Sequence, residues 1–158
     1  MDEGAGILKK DTFDISDVIS DTAQSFADFA GAQGHRLDIS VEPGIRYTGD
    51  EYAVRQLVSV LVDNAIKYAE PDTDIYFEMK KDKKGVSIST RNTCSGISTE
   101  DTKKLFDRFY RPDRSRNNAT GGFGIGLSLA RSIAEGHNGR IYAKLPEDNM
   151  IEFTAELR

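Results

Sequence analysis

The sequence predicts a two-layer α/β sandwich, in which helices cover one face of a mixed, mostly antiparallel sheet. Two patterns support this fold class. In several segments apolar residues recur every three or four positions, as in amphipathic helices, and in the segments between them apolar and polar residues alternate, as in half-buried strands. The 158 residues are enough for one domain with one hydrophobic core. We therefore expect the helices to pack on the apolar face of a single main sheet.

The expected elements follow in chain order. Residues 1–10 show no period and are expected to be a connector, so that order should begin near Phe13. Asp14 or Ser16 is a suitable cap for the first helix, and Gly139 a suitable end for the last one. Helices are expected over 15–30, 51–68, 98–110 and 126–137, and strands over 37–41, 45–48, 75–79, 86–90, 141–145 and 151–157.

Composition and charge exclude several classes of protein. A net charge of -5 at pH 7 argues against a general nucleic-acid binder, because phosphate backbones require a basic face. No apolar run approaches the roughly 20 residues that span a bilayer, so direct membrane insertion is not expected. The single cysteine, Cys94, cannot form an internal disulfide and fits a reducing compartment. Two histidines and one cysteine are too few for structural zinc, whereas oxygen-ligated magnesium remains open.

A glycine-rich segment follows a polar loop that contains three arginines. The glycines are Gly121, Gly122, Gly124 and Gly126, and the arginines are Arg111, Arg114 and Arg116. Glycines let backbone amides approach an anion, the next helix offers its positive end, and arginines donate in pairs, so this combination predicts a phosphate site. A flexible tether before a helix is the alternative. The segment is neither a Walker A loop nor a dinucleotide motif, because Leu127 stands where the third glycine of the latter belongs.

A polar group lies within the second predicted helix. Asn64 is a mediocre helix former, and Lys67 and Tyr68 follow it at i+3 and i+4, so the three share one face. An oxygen for magnesium, a cation for a phosphate and a ring for a base would all be useful beside a nucleotide. The alternative is a solvated face, with Asp63 paired to Lys67 and Tyr68 in the core.

The remaining candidates have structural explanations. Asn92 and Cys94 lie in the segment NTCSG, which follows a strand and needs no ligand if it is a turn. Phe106 is spaced to pack against the core. His137 ends the last predicted helix, where a partly charged ring would favour the helix dipole. We expect catalysis from neither histidine.

Taken in order, four segments resemble the N box, first glycine box, F box and second glycine box of sensor histidine kinases; they are LVDNAIKY, NTCSGI, LFDRFYR and GGFGIGLSLA. The resemblance covers residues 13–157 and implies the Bergerat fold of their catalytic, ATP-binding domain. ATP would lie between helices and sheet beneath a mobile lid, residues 112–121. Residues 1–12 would be the linker remnant after a missing dimerisation and phosphoacceptor hairpin, and residues 13–158 the catalytic domain.

The resemblance also implies a role for each matching residue. Asn64 would hold Mg²⁺, with Lys67 and Tyr68 near the phosphates and sugar. Asn92 stands where the family usually has an aspartate that accepts the adenine amino group; its amide oxygen can accept too, or the amide can turn and donate to guanine. Arg111 would reach the terminal phosphate and, with Asn64 and Lys67, form the catalytic set. The other ATP-binding residues would be Gly96, Ile97, Arg116, Gly122, Gly124, Gly126 and Leu127.

The implied activity is transfer of the γ-phosphate of Mg-ATP to a histidine on a separate dimerisation and phosphoacceptor domain. The response regulator's receiver domain would then take the phosphoryl group from that histidine. The chain would be the cytoplasmic part of a membrane-bound sensor kinase. Val60 stands where ATP-hydrolysing relatives carry a glutamate base, so hydrolysis should be slow. Because Val60, Asn92 and Cys94 depart from the family's pattern, a second hypothesis is a degenerate nucleotide-sensing module that acts through protein contacts without phosphotransfer.

Overall fold

A computed structural model describes residues 8–107 and 124–158, and the two-layer α/β sandwich is confirmed. Within these ranges the strands are β1 (Asp11–Asp14), β2 (Leu37–Val41), β3 (Arg46–Gly49), β4 (Ile75–Lys81), β5 (Val86–Thr93), β6 (Arg140–Lys144) and β7 (Met150–Leu157). The helices are α1 (Ile15–Gln24), α2 (Ala27–Ala32), α3 (Glu51–Tyr68), α4 (Thr99–Lys104) and α5 (Gly124–Gly136). None of the helices in these ranges is long and apolar enough to cross a bilayer.

The main sheet has the strand order β2-β4-β5-β7-β6. Strands β2 and β4 are parallel, and the other neighbours are antiparallel, so the sheet is mixed as predicted. Strand β5 lies at its centre, and every residue from Val86 to Thr93 pairs with β7. Alternate side chains of β4 and β5 are buried while those between them are not, which leaves one face of the sheet open. Strands β1 and β3 form a separate antiparallel pair.

Helix α3 is the central element of the helix layer. It packs between α1 and α5 and against β5. Its inward side chains, including Leu57, Val58 and Leu61, are almost completely buried. Asp50 caps its start, because Asp50 Oδ1 accepts a hydrogen bond from the backbone N–H of Ala53 at 3.0 Å. The helix therefore joins the helix layer to the centre of the sheet.

The first predicted helix is wrong in one respect, since it is broken into α1 and α2. Two hydroxyl groups at the break bond back to the helix: Thr22 Oγ1 donates to the carbonyl of Val18 at 2.7 Å, and Ser25 Oγ to that of Thr22 at 2.6 Å. Such side chains compete with the helical backbone bonds and bend or end a helix.

Order also begins earlier than Phe13, because Asp11 and Thr12 pair with β3. The hydroxyl groups of Thr12 and Thr48 lie 2.7 Å apart across this pair. The strand β1 escaped prediction because it has no alternation of apolar residues.

Helix α4 ends at Lys104, earlier than expected, and the last residues of that predicted helix, 108–110, lie outside the described ranges. Its start carries a capping box between Ser98 and Asp101. Phe106 is buried, and its ring meets that of Phe153 edge to face with the centroids 5.9 Å apart. The predicted core role of Phe106 is thus confirmed.

The expectation of a partly charged ring at His137 is wrong. Its Nε2 accepts the backbone N–H of Asp50 at 3.1 Å, so the ring proton lies on Nδ1, which donates to the carbonyl of Ile133 at 2.8 Å. Burial penalises the charged ring and lowers the pKa of His137 below its ordinary value. The neutral ring therefore links the end of α5 to the start of α3.

This burial predicts that acid weakens the fold. The folded pKa of His137 is lowered, so below about pH 6.5 the unfolded chain binds a proton that the folded chain refuses. The free energy of unfolding should be constant with respect to this group above that pH. Below it, the free energy should fall by up to about 1.4 kcal/mol per pH unit until the folded-state pKa is reached.

Urea titrations at pH 7.5, 6.5 and 5.5 measure the effect. His137→Asn is the matched variant, because its amide oxygen can still accept from Asp50 but does not titrate. The variant should show a flatter pH profile over this range, and identical profiles would contradict the assignment.

Candidate functional site

Three polar side chains are buried on the two elements that face each other, α3 and β5. Asn64 on α3 is 8% exposed, and Thr90 and Asn92 on β5 are each 1% exposed. Thr90 Oγ1 and Asn92 Oδ1 have no hydrogen-bond partner among the described residues. Native structures rarely leave such groups unpaired, because a buried unsatisfied group costs about 1–3 kcal/mol. These two oxygens are therefore available to a water or a ligand that can form hydrogen bonds with them.

The inward face of β5 changes from apolar to polar halfway along the strand. Val86 and Ile88 come first, and Thr90 and Asn92 follow at the same period of two. Asn92 Nδ2 donates to the carbonyl of Thr93 at 2.8 Å. This bond assigns the orientation of the amide and leaves Oδ1 as an acceptor directed away from it. Of the two orientations that the sequence left open, the structure has the one suited to an amino group.

The ion pair that the sequence analysis raised as an alternative is present on α3. Lys67 Nζ lies 3.2 Å from Asp63 Oδ2, and the two side chains are 38% and 39% exposed. An exposed pair four residues apart contributes only about 0.3–0.5 kcal/mol, so Lys67 can leave it for a phosphate at little cost. Tyr68 is half-buried and packs against the core. Of the three residues on this predicted face, Asn64 is thus the buried one.

Glu70, which no sequence pattern singles out, ties the loop after β5 to the end of α3. Glu70 Oε2 accepts hydrogen bonds from the N–H of Ser95 at 3.2 Å and from its hydroxyl at 2.8 Å. The N–H of Glu70 in turn donates to Thr93 Oγ1 at 3.2 Å. No local pattern predicts a contact between residues 25 positions apart. Gly96 has a left-handed φ of 80°, and Ile97 packs partly against the core.

The structure describes some of the candidate residues in and around the glycine-rich segment, but not all of them. Gly124 begins α5, Gly126 lies beside Val60 of α3, and the side chain of Leu127 is fully buried. Arg111, Arg116 and Gly122 lie outside the described ranges. The structure thus brings the α3 residues together with the end of β5, its following loop and the start of α5.

Cys94 is not prepared as a nucleophile. Burial and the nearby charge of Glu70 raise the pKa of its thiol to about 11. The thiol therefore stays protonated at neutral pH, and only the thiolate is strongly nucleophilic. Its backbone N–H donates to the carbonyl of Asn149 at 2.8 Å, which joins this loop to the turn before β7.

Comparison with known proteins defines the class. Residues 49–158 match the model of the family described as histidine kinase-, DNA gyrase B- and HSP90-like ATPases, and the chain belongs to this family. Along 156 residues it is 31% identical to the signal transduction histidine-protein kinase BaeS of Escherichia coli, a match that covers 99% of this chain and 33% of that protein. The chain thus spans about a third of the length of this relative.

Solved structures share the fold. The catalytic domain of histidine kinase ThkA superposes with a TM-score of 0.79 at 22% identity, covering 92% of this chain and 93% of that one. ThkA in complex with the response regulator TrrA gives a TM-score of 0.77 at 22% identity, covering 95% of this chain and 42% of that one. The named relatives are histidine kinases, and the predicted class, a histidine kinase catalytic ATPase domain, is confirmed.

The residues present fit a magnesium ion that arrives with a nucleotide. Mg²⁺ takes oxygen ligands, keeps several waters and is commonly held by one or two protein groups together with phosphates. In the described ranges no three histidine, cysteine, aspartate or glutamate side chains group as a metal site. Asn64 offers a buried amide oxygen on α3. This oxygen is of the type that such an ion takes.

Gly126 is not required by the packing of α5 on α3. A Cβ at this position would lie 3.6 Å from Val60 Cγ1, an ordinary van der Waals contact. Because alanine favours a helix over glycine by up to about 1 kcal/mol, Gly126→Ala should leave stability unchanged or raise it.

Gly49→Ala is the contrasting variant, since its Cβ would clash with the ring of Tyr47 and lie 2.9 Å from His137 Cδ2. Thermal unfolding of both variants tests the difference. A lower melting temperature for Gly126→Ala than for the unchanged protein would show that packing does need this glycine.

Proposed function

We propose that this domain binds Mg-ATP between α3, β5 and the start of α5, and donates the γ-phosphate to a histidine on a separate dimerisation and phosphoacceptor domain. The observation that carries this proposal is the pair of buried amides, Asn64 on α3 and Asn92 on β5, on facing elements. Asn92 Oδ1 is an unpaired acceptor suited to the adenine amino group. Asn64 supplies an oxygen suited to magnesium.

Each residue of the site has a distinct part in the proposed reaction. Asn92 orients the base, and Lys67 leaves Asp63 to neutralise phosphate charge. Asn64 holds the ion, which when bound neutralises phosphate oxygens and orients them for transfer. Gly124 and Gly126 bring the backbone N–H groups at the start of α5 close to the phosphates. The proposed set also includes Tyr68, Gly96, Ile97 and Leu127, and outside the described ranges Arg111, Arg116 and Gly122.

Helix α3 carries no general base at the position where ATP-hydrolysing relatives have a glutamate, and this bears on which group accepts the phosphoryl group. Val60, one turn before Asn64, is apolar and packs partly against the core, so it cannot take a proton from water. Slow transfer to water suits a domain whose proposed acceptor, by its family resemblance, is the imidazole of the parent kinase's phosphoacceptor domain. A response regulator would then receive it from that histidine, as the complex of ThkA with TrrA suggests by analogy.

The proposed setting is the cytoplasmic part of a sensor kinase. The free, buried Cys94 suits a reducing compartment. Residues 13–158 would form the catalytic unit, and the segment before them would connect it to the phosphoacceptor domain. Lys9 already bonds to this unit, because its backbone N–H donates to Asp50 Oδ2 at 2.9 Å.

Asn64→Ala should remove the magnesium dependence of nucleotide binding. Calorimetric titration with a non-hydrolysable ATP analogue, with and without Mg²⁺, measures this. The unchanged domain should bind more tightly with Mg²⁺, and the variant should lose about tenfold or more of that gain, since one charge-assisted ligand contributes about 1.5–3 kcal/mol.

Asp63→Asn is the matched control, because it changes the adjacent, half-exposed residue of the same helix and only frees Lys67. It should keep the magnesium dependence. If Asn64→Ala behaves like this control, Asn64 does not hold the ion.

Phosphotransfer is tested by adding the phosphoacceptor domain of the full-length kinase in trans with labelled ATP. Acid-labile label should appear on that domain only when both proteins are present, and the domain alone should hydrolyse ATP slowly because of Val60. Tight binding without transfer would instead support the nucleotide-sensing module. Rapid hydrolysis by the domain alone would oppose the kinase proposal.

A further inference from the structure

The loop after β5 is held to the end of α3 by hydrogen bonds that centre on Glu70. Both bonds from Ser95, one from its N–H at 3.2 Å and one from its hydroxyl at 2.8 Å, go to the same carboxylate oxygen, Oε2. Hydrogen bonds to an ionised acceptor are stronger than those between neutral groups. A single oxygen of Glu70 therefore fixes both the backbone and the side chain of Ser95.

The backbone of Glu70 takes part in a closed ring of hydrogen bonds with two threonines. Its N–H donates to Thr93 Oγ1 at 3.2 Å. The hydroxyl of Thr73 donates to the carbonyl of Glu70 at 2.6 Å and lies 2.9 Å from the hydroxyl of Thr93. Because the Thr73 proton is used on that carbonyl, the Thr93 hydroxyl is the donor between the two threonines. The last residue of β5 is thus anchored to the segment that follows α3.

The same contacts reach the amide of Asn92. The carbonyl of Thr93 accepts from Asn92 Nδ2 at 2.8 Å and from the N–H of Glu70 at 3.3 Å. A carbonyl oxygen has two lone pairs, so it can satisfy both donors. The position of this carbonyl sets the direction of Nδ2, and thereby leaves Oδ1 as the acceptor. Glu70 and the Asn92 amide therefore share one partner, although they lie on different elements.

The loop also has a support that does not involve Glu70. The backbone N–H of Cys94 donates to the carbonyl of Asn149 at 2.8 Å, in the turn before β7. This bond and the pairing of β5 with β7 remain when the Glu70 side chain is removed. We therefore expect loss of that side chain to loosen the loop locally and to leave the fold intact.

We propose that Glu70 is a positioning residue for base recognition, which holds Thr93 and Ser95 so that Asn92 presents its amide oxygen to the base. The proposal rests on the proposed function, because it assumes that a nucleotide base lies over Asn92. A fixed acceptor favours adenine, which offers an amino donor, over guanine, which offers a carbonyl at the same position. A loop that is ordered before the ligand arrives also lowers the ordering cost of binding.

Two variants of Glu70 and one control separate its hydrogen bonds from its charge. Glu70→Ala removes the acceptor. Glu70→Gln keeps an oxygen, and since both bonds from Ser95 go to one carboxylate oxygen, the amide oxygen can replace it. Glu147→Ala is the matched control, because it removes an equal charge from a residue that lines the same cavity as Cys94 and Gly96.

The experiment is calorimetric titration of the intact domain with non-hydrolysable analogues of ATP and GTP. The unchanged protein, Glu70→Gln and Glu147→Ala should all prefer the ATP analogue. Glu70→Ala should bind the ATP analogue about threefold or more weakly than the unchanged protein, the effect of losing about one hydrogen bond. Its affinity for the GTP analogue should fall less, because the Asn92 amide can then turn. A merely structural role would weaken both analogues by the same factor.

Hydrogen exchange of the free proteins shows whether the loop itself changes. The Ser95 amide should exchange faster in Glu70→Ala than in the unchanged protein and in Glu147→Ala. Equal exchange in all three would contradict the part that Glu70 has in ordering the loop.

Failure of this inference and failure of the proposed function give different results. No binding of the ATP analogue by the unchanged protein would overturn the proposed function. If the unchanged protein binds both analogues equally, or if Glu70→Ala keeps the preference for the ATP analogue, Glu70 does not position the base contact. If Glu70→Ala does not fold, Ser95→Ala takes its place, since it removes only the hydroxyl bond. It should reduce the preference by a smaller factor, and an unchanged preference would overturn the inference.

Discussion

The packing of helix α3 against strand β5 holds both sides of the candidate nucleotide site in place. Fully burying an aliphatic side chain such as Leu57 or Leu61 contributes about 1.5–3 kcal/mol, and α3 buries several on its inward face. The same buried set includes Asn64, a poor helix former whose burial opposes folding. Opposite it, β5 buries Thr90 Oγ1 and Asn92 Oδ1, which have no hydrogen-bond partner among the described residues. The apolar contacts of α3 thus offset the cost of the polar groups that the site needs.

Both ends of α3 are fixed by groups far away in the sequence. At its start, Asp50 caps the helix with its side chain and donates through its backbone to His137 at the end of α5. At its end, Glu70 holds the loop after β5 through Ser95. The two helices and the loop that would surround a nucleotide are therefore connected by side chains outside the site itself. A group held on such a scaffold needs little reorganisation when its ligand arrives.

Regular segments of the fold could be predicted from the sequence because their side chains alternate between core and solvent. The bounds of α3 and the pairing of β4 with β5 are confirmed, since each has a clear period. The break after Gln24 depends on hydroxyl groups of Thr22 and Ser25 that can either tolerate or end a helix, which periodicity does not detect. Strand β1 is polar, and its pairing depends on a partner more than 30 residues away.

Some residues of the candidate site could likewise be predicted from the sequence, and others could not. Asn64 could be found because an amide in an apolar helix conflicts with local propensity, and proteins break such local rules chiefly at functional sites. Asn92 could be found by resemblance, but its amide orientation depends on one hydrogen bond to its neighbour's carbonyl. Thr90 fits the strand pattern as well as valine would, and what distinguishes it is that its hydroxyl has no hydrogen-bond partner in the described part of the chain. No local sequence pattern predicts the contact of Glu70 with Ser95.

The most direct measurement is nuclear magnetic resonance of the domain with a non-hydrolysable ATP analogue and Mg²⁺. The side-chain amide signals of Asn64 and Asn92 report from α3 and β5, and both should shift together and saturate at the same nucleotide concentration. The open face of the sheet offers a competing cavity of about 190 Å³, lined by Tyr76 and Arg91 among others. Unchanged amide signals, with shifts confined to the backbone around Tyr76 and Arg91, would contradict a site between α3 and β5.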